Sequence, residues 1–260
     1  MQKIQIYEEE EQLFKKAAAL FLTLAERAIQ QHKKLYLALS GGGTPDQLYA
    51  NLVLQKDLLA WQDVEVYFSD ERLVPVTDAG SNYYQAAKQL LDQVGHPKEQ
   101  RYFPNVSLSH EEAAAQYEYL ICQQVPKKEG IPCFDIILLG LGNDGHTASL
   151  FPHQIGNEIF ESLIVPVTAK YKNRPSKRIS MTPKMINRAA NVIFLLSGHE
   201  KAQAVYHSLM EGQDWHIWPA SSISGDKNDV YWFMNEAAAE HLEIPVPMKP
   251  IVGEKSAPAD

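Results

Sequence analysis

The pattern of hydrophobic runs predicts an α/β protein whose mainly parallel sheet is covered by helices on both faces. Three observations carry this expectation. Apolar runs of strand length alternate with amphipathic helical stretches along most of the 260 residues. Several runs end in turns that also open helices, as at residues 40–45 (SGGGTP). The run at 134–139, apolar except for Asp135, breaks into Gly140, Gly142 and Gly145 with Asn143, Asp144 and His146 among them. A buried strand that ends in glycines and delivers polar side chains to one point is how open α/β sheets build their sites.

The elements follow in order. Leu13, Phe14, Ala17, Phe21, Leu24, Ala25 and Ala28 recur at helical spacing over residues 8–31, behind an acidic start that suits the helix dipole. Residues 35–39 (LYLAL) read as a strand. Thr44 then fits an N-cap, Pro45 the first helical position and Gln47 the capping-box partner of a helix over 45–55. A second strand over 64–69 ends in Asp70, Glu71 and Arg72. Ser81 opens a helix to about residue 91, and Ser109 with Glu112 forms a capping box before a helix at 110–124. After the strand at 134–139 come a strand at 163–167, a Lys- and Arg-rich loop and an extended piece at 178–181. Thr182 and Pro183 start a short helix, 191–196 is a buried strand, 200–210 a helix, 230–234 a strand and 235–242 a short helix. No internal repeat or low-complexity linker divides the chain, so residues 1–244 read as one domain and 245–260, rich in Pro and Lys, as an extended tail.

Composition narrows the class. With 45% hydrophobic and 22% charged residues the chain reads as a soluble globular protein. The N-terminus lacks the basic and apolar regions of a signal peptide, and no apolar run approaches the roughly 20 residues of a membrane helix. Cys122 and Cys133 match neither a disulfide framework nor a metal-site spacing, which suits two reduced thiols in a cytoplasmic protein. A net charge of −8 disfavours a nucleic-acid surface. It also means that an anionic substrate needs local cations.

The turn formed by Ser40, Gly41, Gly42, Gly43 and Thr44 lets a backbone rich in N–H groups approach an anion at a helix start, though it also suits any tight βα turn. Residues 140–145 match GxGxxG, but a dinucleotide site is disfavoured. The strand lies late in the chain, Asn143 and Asp144 are polar, and no βαβ unit of about 30 residues follows. His146 fits either a structural histidine or a general base whose tautomer Asp144 would fix. No GxSxG elbow and no HExxH spacing are present, so neither a serine nucleophile nor a metal is expected. Asp70 and Arg72 suit a polar cleft wall or a solvated turn. Within the basic cluster Lys170, Lys172, Arg174, Lys177 and Arg178, the last is the one expected to point inward. Lys201 fits a second anion-holding cation as well as a surface lysine.

Six stretches together resemble the 6-phosphogluconolactonase family, in order across nearly the whole chain: SGGGTP (40–45), SDERLVP (69–75), GLGNDGHTASLFP (140–152), RISMTPKMINRAANV (178–192), SGHEKA (197–202) and WFMNEAA (232–238). The resemblance implies a modified Rossmann-like sheet, shared with glucosamine-6-phosphate deaminases and ribose-5-phosphate isomerases. It implies hydrolysis of 6-phosphogluconolactone, in the second step of the pentose phosphate pathway, with no cofactor. It also implies His146 as general base beside Asp144, a 6-phosphate held by residues 40–44, Arg178 and Lys201, and a sugar cleft lined by Asp70 and Arg72. Gly43 departs from a frequent serine, which removes one hydroxyl donor. The deaminase–isomerase branch is the nearest alternative, but Phe151 stands where that branch has a proton-relaying Glu, and Arg72 where it favours Tyr. A non-catalytic sugar-phosphate sensor would be expected to carry a DNA-binding segment, and no such helix-turn-helix is read before residue 35. The partner expected is a small sugar-phosphate lactone, with no nucleic acid or membrane; oligomeric state is not readable.

Overall fold

The computed structural model describes residues 1–41, 45–154, 156–170, 175–210 and 212–242. In chain order its elements are β1 (Gln2–Tyr7), α1 (Glu10–His32), β2 (Leu35–Leu39), α2 (Pro45–Leu54), β3 (Val64–Phe68), β4 (Asp70–Arg72), α3 (Asn82–Ala86), α4 (His110–Gln124), β5 (Lys127–Lys128), β6 (Ile131–Pro132), β7 (Ile136–Leu139), β8 (Ile164–Thr168), β9 (Lys177–Met181), α5 (Pro183–Ile186), β10 (Asn191–Leu196), α6 (Ala202–Leu209) and β11 (Asp229–Asn235). Six strands form one sheet in the order β1-β11-β10-β7-β2-β3, and all its pairings are parallel.

The sheet is covered on both faces, as its sequence requires. Side chains of a strand alternate between faces. In β7, Ile136 and Leu138 enter the core shared with α1, α2 and α3, while Ile137 and Leu139 enter the core shared with α4, α5 and α6. Asp135, just before β7, accepts from the Tyr36 backbone N–H at 2.8 Å and meets His32 Nε2 at 2.9 Å. That polar interruption ties the end of α1 to the amino edge of the sheet. Ser109 and Glu112 form the expected capping box on α4, and Ser81 accepts from the Tyr84 N–H at the start of α3.

The winding of the sheet sets the position of the site. From β2 the chain moves outward to β3, then returns to place β7, β10 and β11 on the other side of β2. Loops leaving adjacent strands β2 and β7 therefore diverge, and a crevice opens at their carboxyl ends. A second, antiparallel sheet, β4-β9-β8, stands beside this crevice. Met181 N–H donates to the Ser69 carbonyl at 2.7 Å, which joins the two sheets where β3 ends.

Four local expectations change. β1 was not anticipated; it is an edge strand whose Ile4 and Ile6 stay over a third exposed, so its pattern gives little sign of a core. Asp70–Arg72 is not the tail of β3 but a strand of the smaller sheet. Residues 87–91 continue α3 as a π-helical turn. Residues 235–242 do not form a helix. Asn235 caps a single turn, its Oδ1 accepting from the Ala238 N–H at 3.0 Å, and the following bonds are of short turn type. Thr44 and the tail at 245–260 lie outside the described residues, and Gln47 sends its amide to Glu10 of α1 at 3.0 Å. Among the described residues no helix is long and apolar enough to cross a membrane.

Candidate active site

A cavity of about 760 Å³ occupies the crevice. Ser40 and Gly41 reach it from the end of β2, Gly140, Leu141, Gly142 and His146 from the end of β7, and Lys201 from the turn after β10. Asp70, Arg72 and Arg178 reach it from the smaller sheet. Of the expected site residues, Gly42, Gly43 and Thr44 lie outside the described residues, as do Lys172 and Arg174 of the basic cluster. Asp144 is not among the residues lining the cavity but contacts the ring of His146, which is.

The turn after β7 is built to hold that ring. Gly142 N–H donates to the His146 carbonyl at 2.7 Å and Gly145 N–H to the Gly142 carbonyl at 3.0 Å, which closes a tight loop. Gly145 has φ +83°, a conformation costly for residues with a Cβ, and its Cα lies against Trp218, where an added Cβ would come within 2.5 Å of the indole. At Gly142 an added Cβ would stand 2.0 Å from His146 Nδ1 and 2.5 Å from Asp144 Oδ1. The glycine is therefore the space in which the pair sits. Asp144 Oδ1 contacts His146 Nδ1 at 2.5 Å and also accepts from its backbone N–H at 3.2 Å. The imidazole packs against Phe151, with ring centroids 4.7 Å apart, and the Arg178 guanidinium lies 5.3 Å from the centre of that same buried ring.

The cations are placed by strand register. Arg72 and Arg178 are directly opposed across β4 and β9, so both side chains project from the same face. Asp70 and Ser180 form the next same-face pair, and Glu71 points the other way. Like charges directly opposed on a sheet destabilise it unless a counter-charge is supplied. Arg178 is nonetheless only 3% exposed, with Nε donating to the Pro175 carbonyl at 3.1 Å; Arg72 donates to the Gly80 carbonyl at 2.8 Å. Lys201 donates to Asn143 Oδ1 at 2.7 Å, which links β10's exit to the His146 turn. On the cavity wall Arg72, Lys88, Arg178 and Lys201 outnumber Asp46 and Asp70, although the whole chain carries −8. The wall thus favours an anion within a protein whose overall field opposes one.

Sequence reasoning missed several contributors. Asp46 and Lys88 line the cavity from α2 and the π-helical turn; in the sequence each is an ordinary charged helix residue. Ser149 donates through its hydroxyl to Asp70 Oδ2 at 2.6 Å and through its backbone N–H to the Ser180 hydroxyl oxygen at 3.1 Å, so the 140–152 block is bolted to the smaller sheet. The hydroxyls were visible in the sequence, but their partners were not.

Glu71 anchors the opposite side of β4. It is 2% exposed and accepts from Ser81 Oγ and from the backbone N–H groups of Arg72, Asn82 and Tyr83. Burial pushes its carboxyl up from 4.5 to about 7, against the pull of those N–H donors. The folded protein therefore holds a proton that the unfolded chain releases, and stability falls as pH rises from about 4.5 through about 7. Denaturant unfolding at steps across that window should show the decline, with a shallower slope in Glu71→Gln. An identical slope in the variant would remove Glu71 as its source.

Comparison with known proteins agrees with this architecture. The family described as glucosamine-6-phosphate isomerases/6-phosphogluconolactonase matches residues 8–232. A 6-phosphogluconolactonase of Synechocystis is 34% identical, covering 88% of this chain and 94% of its own. The 6-phosphogluconolactonase of Homo sapiens is also 34% identical, covering 88% of this chain and 90% of its own. The solved 6-phosphogluconolactonase of Trypanosoma brucei aligns with a TM-score of 0.80 at 26% identity, over 93% of this chain and 99% of that one. With a matched region that spans the main sheet from α1 into β11 and encloses the cavity, this chain belongs to the glucosamine-6-phosphate isomerase/6-phosphogluconolactonase family.

Proposed function

We propose that this chain hydrolyses 6-phospho-D-glucono-1,5-lactone to 6-phospho-D-gluconate, the lactonase step of the pentose phosphate pathway. The observation that carries the reading is a carboxylate-held histidine at the sheet's switch point, facing the same cavity as Arg72, Arg178 and Lys201. In the proposed mechanism, Asp144 occupies Nδ1 and fixes the tautomer, so Nε2 takes a proton from water as that water attacks C1 of the lactone. The imidazolium then returns the proton to the departing ring oxygen. Asp144 stabilises the cation between the two steps. Arg178, Lys201 and the turn at 40–44 hold the 6-phosphate, while Asp70 and Arg72 face the sugar. Binding energy far from C1 positions the ester against the base.

The family's other branch isomerises and deaminates, chemistry that calls for a proton relay beside the histidine. Here the ring neighbour is Phe151, fully buried and apolar. That favours hydrolysis. Freshly prepared 6-phosphogluconolactone should release acid far above its spontaneous rate when the protein is added, and glucosamine 6-phosphate should yield no ammonia. The reverse pair of outcomes would overturn the assignment.

A further inference from the structure

Asn82, the first residue of α3, is fully buried. A buried amide that touches the wall of a cavity must be satisfied, and where its atoms go is informative. Its Nδ2 donates to Asp70 twice, to the carbonyl at 2.8 Å and to Oδ1 at 3.1 Å. Its own backbone N–H donates to Glu71 Oε1 at 2.7 Å. Its Oδ1 meets no donor among the described residues and lies against Gly41, where an added Cβ would stand only 1.7 Å away. One side chain thus touches the exit of β2 and the β4 carboxylate together. The other oxygen of that carboxylate accepts from Ser149, which follows two residues after Thr147, whose hydroxyl pins the Gly140 carbonyl at 2.9 Å.

We propose that Asn82 is a positioning residue for this reaction: its amide sets the Asp70 carboxylate and seats Gly41, so that the exit of β2 and the sugar-facing wall are aligned by one group. The inference rests on the lactonase reading for its kinetic consequence, but the pairing itself does not. Donor character is the essential property. An aspartate at 82 has the same shape but presents an oxygen to Asp70, and two carboxylates at this separation cannot both stay ionised. The charged groups around position 82 are Asp70 and Glu71, and Arg72 follows on the same strand.

The test uses Asn82→Asp and the exchanged pair Asp70→Asn/Asn82→Asp in the full chain. Loss of a hydrogen bond to a charged group is worth about 1.5–3 kcal/mol, so Asn82→Asp should lower kcat/KM on the order of 10–100-fold near pH 8. As pH falls toward about 5.5 the deficit relative to wild type should shrink, because a protonated carboxyl at 82 can donate again. Expressing the effect as a ratio to wild type removes the pH dependence that the two proteins have in common. The exchanged pair should regain part of the Tm lost in Asn82→Asp, since amide and carboxylate face each other again while the bond to the residue-70 main-chain carbonyl stays lost, yet remain poorly active because the charge has left position 70. A pH-independent ratio, or an exchanged pair that regains none of the lost Tm, would mean that Asn82 is only a packing residue. Failure of the wild type to release acid from the lactone would strike the function reading alone, and the Tm comparison would still decide the pairing.

Discussion

His146→Ala should lower kcat for 6-phosphogluconolactone by about 10²–10⁴-fold, the usual worth of a positioned acid–base group. In the proposed mechanism the same ring activates water and then protonates the leaving oxygen, so the loss falls on the chemical step. Affinity for the phosphate end should hardly move, because Arg178 and Lys201 reach the cavity from β9 and from the turn after β10 rather than from the His146 turn. Stability should also change little. The imidazole is partly exposed, and its tilted contact with the Phe151 ring is worth about 0.5–1.5 kcal/mol. Steady-state acid release corrected for spontaneous hydrolysis, with inhibition by the product 6-phosphogluconate as a measure of binding, separates these effects. Turnover within a factor of about two of wild type would remove His146 from the chemistry, since that is far below the range above.

Gly142→Ala should be nearly as damaging, for a steric reason. The new methyl would lie 2.0 Å from His146 Nδ1, 2.2 Å from Cε1 and 2.5 Å from Asp144 Oδ1, so the ring and the carboxylate cannot both keep their places. Unlike Gly145, Gly142 is not among the positive-φ glycines, so the backbone accepts alanine and the cost falls on the pair. A displacement of about 1 Å at a reacting group can cost about 10²-fold, and kcat should fall by that order. Both side chains can swing toward solvent, so Tm should remain close to wild type. An unaltered kcat in a folded Gly142→Ala protein would show that the Asp144–His146 geometry is not required.

The two expectations differ in how readable they were. His146 and Asp144 are two residues apart in a glycine turn, and short-range hydrogen bonding within such a turn is a local property. The need for Gly142 to have no Cβ is also local, but it depends on which way the ring folds back. Several elements were legible for the same reason: β2 and β10 at their observed limits, the cap at Ser81 and the capping box at Ser109. β1 was not, because an edge strand with half-exposed isoleucines lacks a buried face to mark it.

By itself the sequence determined the alternation of strand and helix, the buried character of the strands, and the glycine turns at their carboxyl ends. It also determined that a carboxylate and an imidazole share one of those turns. Each of these follows from hydrogen bonds and periodicities that span only a few residues. Only the tertiary structure decided which turns open into one cavity, because that depends on the strand order that puts β2 beside β7. The same holds for the register that opposes Arg72 to Arg178, for the serine that meets Asp70, and for the asparagine that holds it. Pairing energy between strands far apart in the chain selects the order and the register, and the packing of the 140–152 turn and of α3 against β4 selects the two contacts to Asp70.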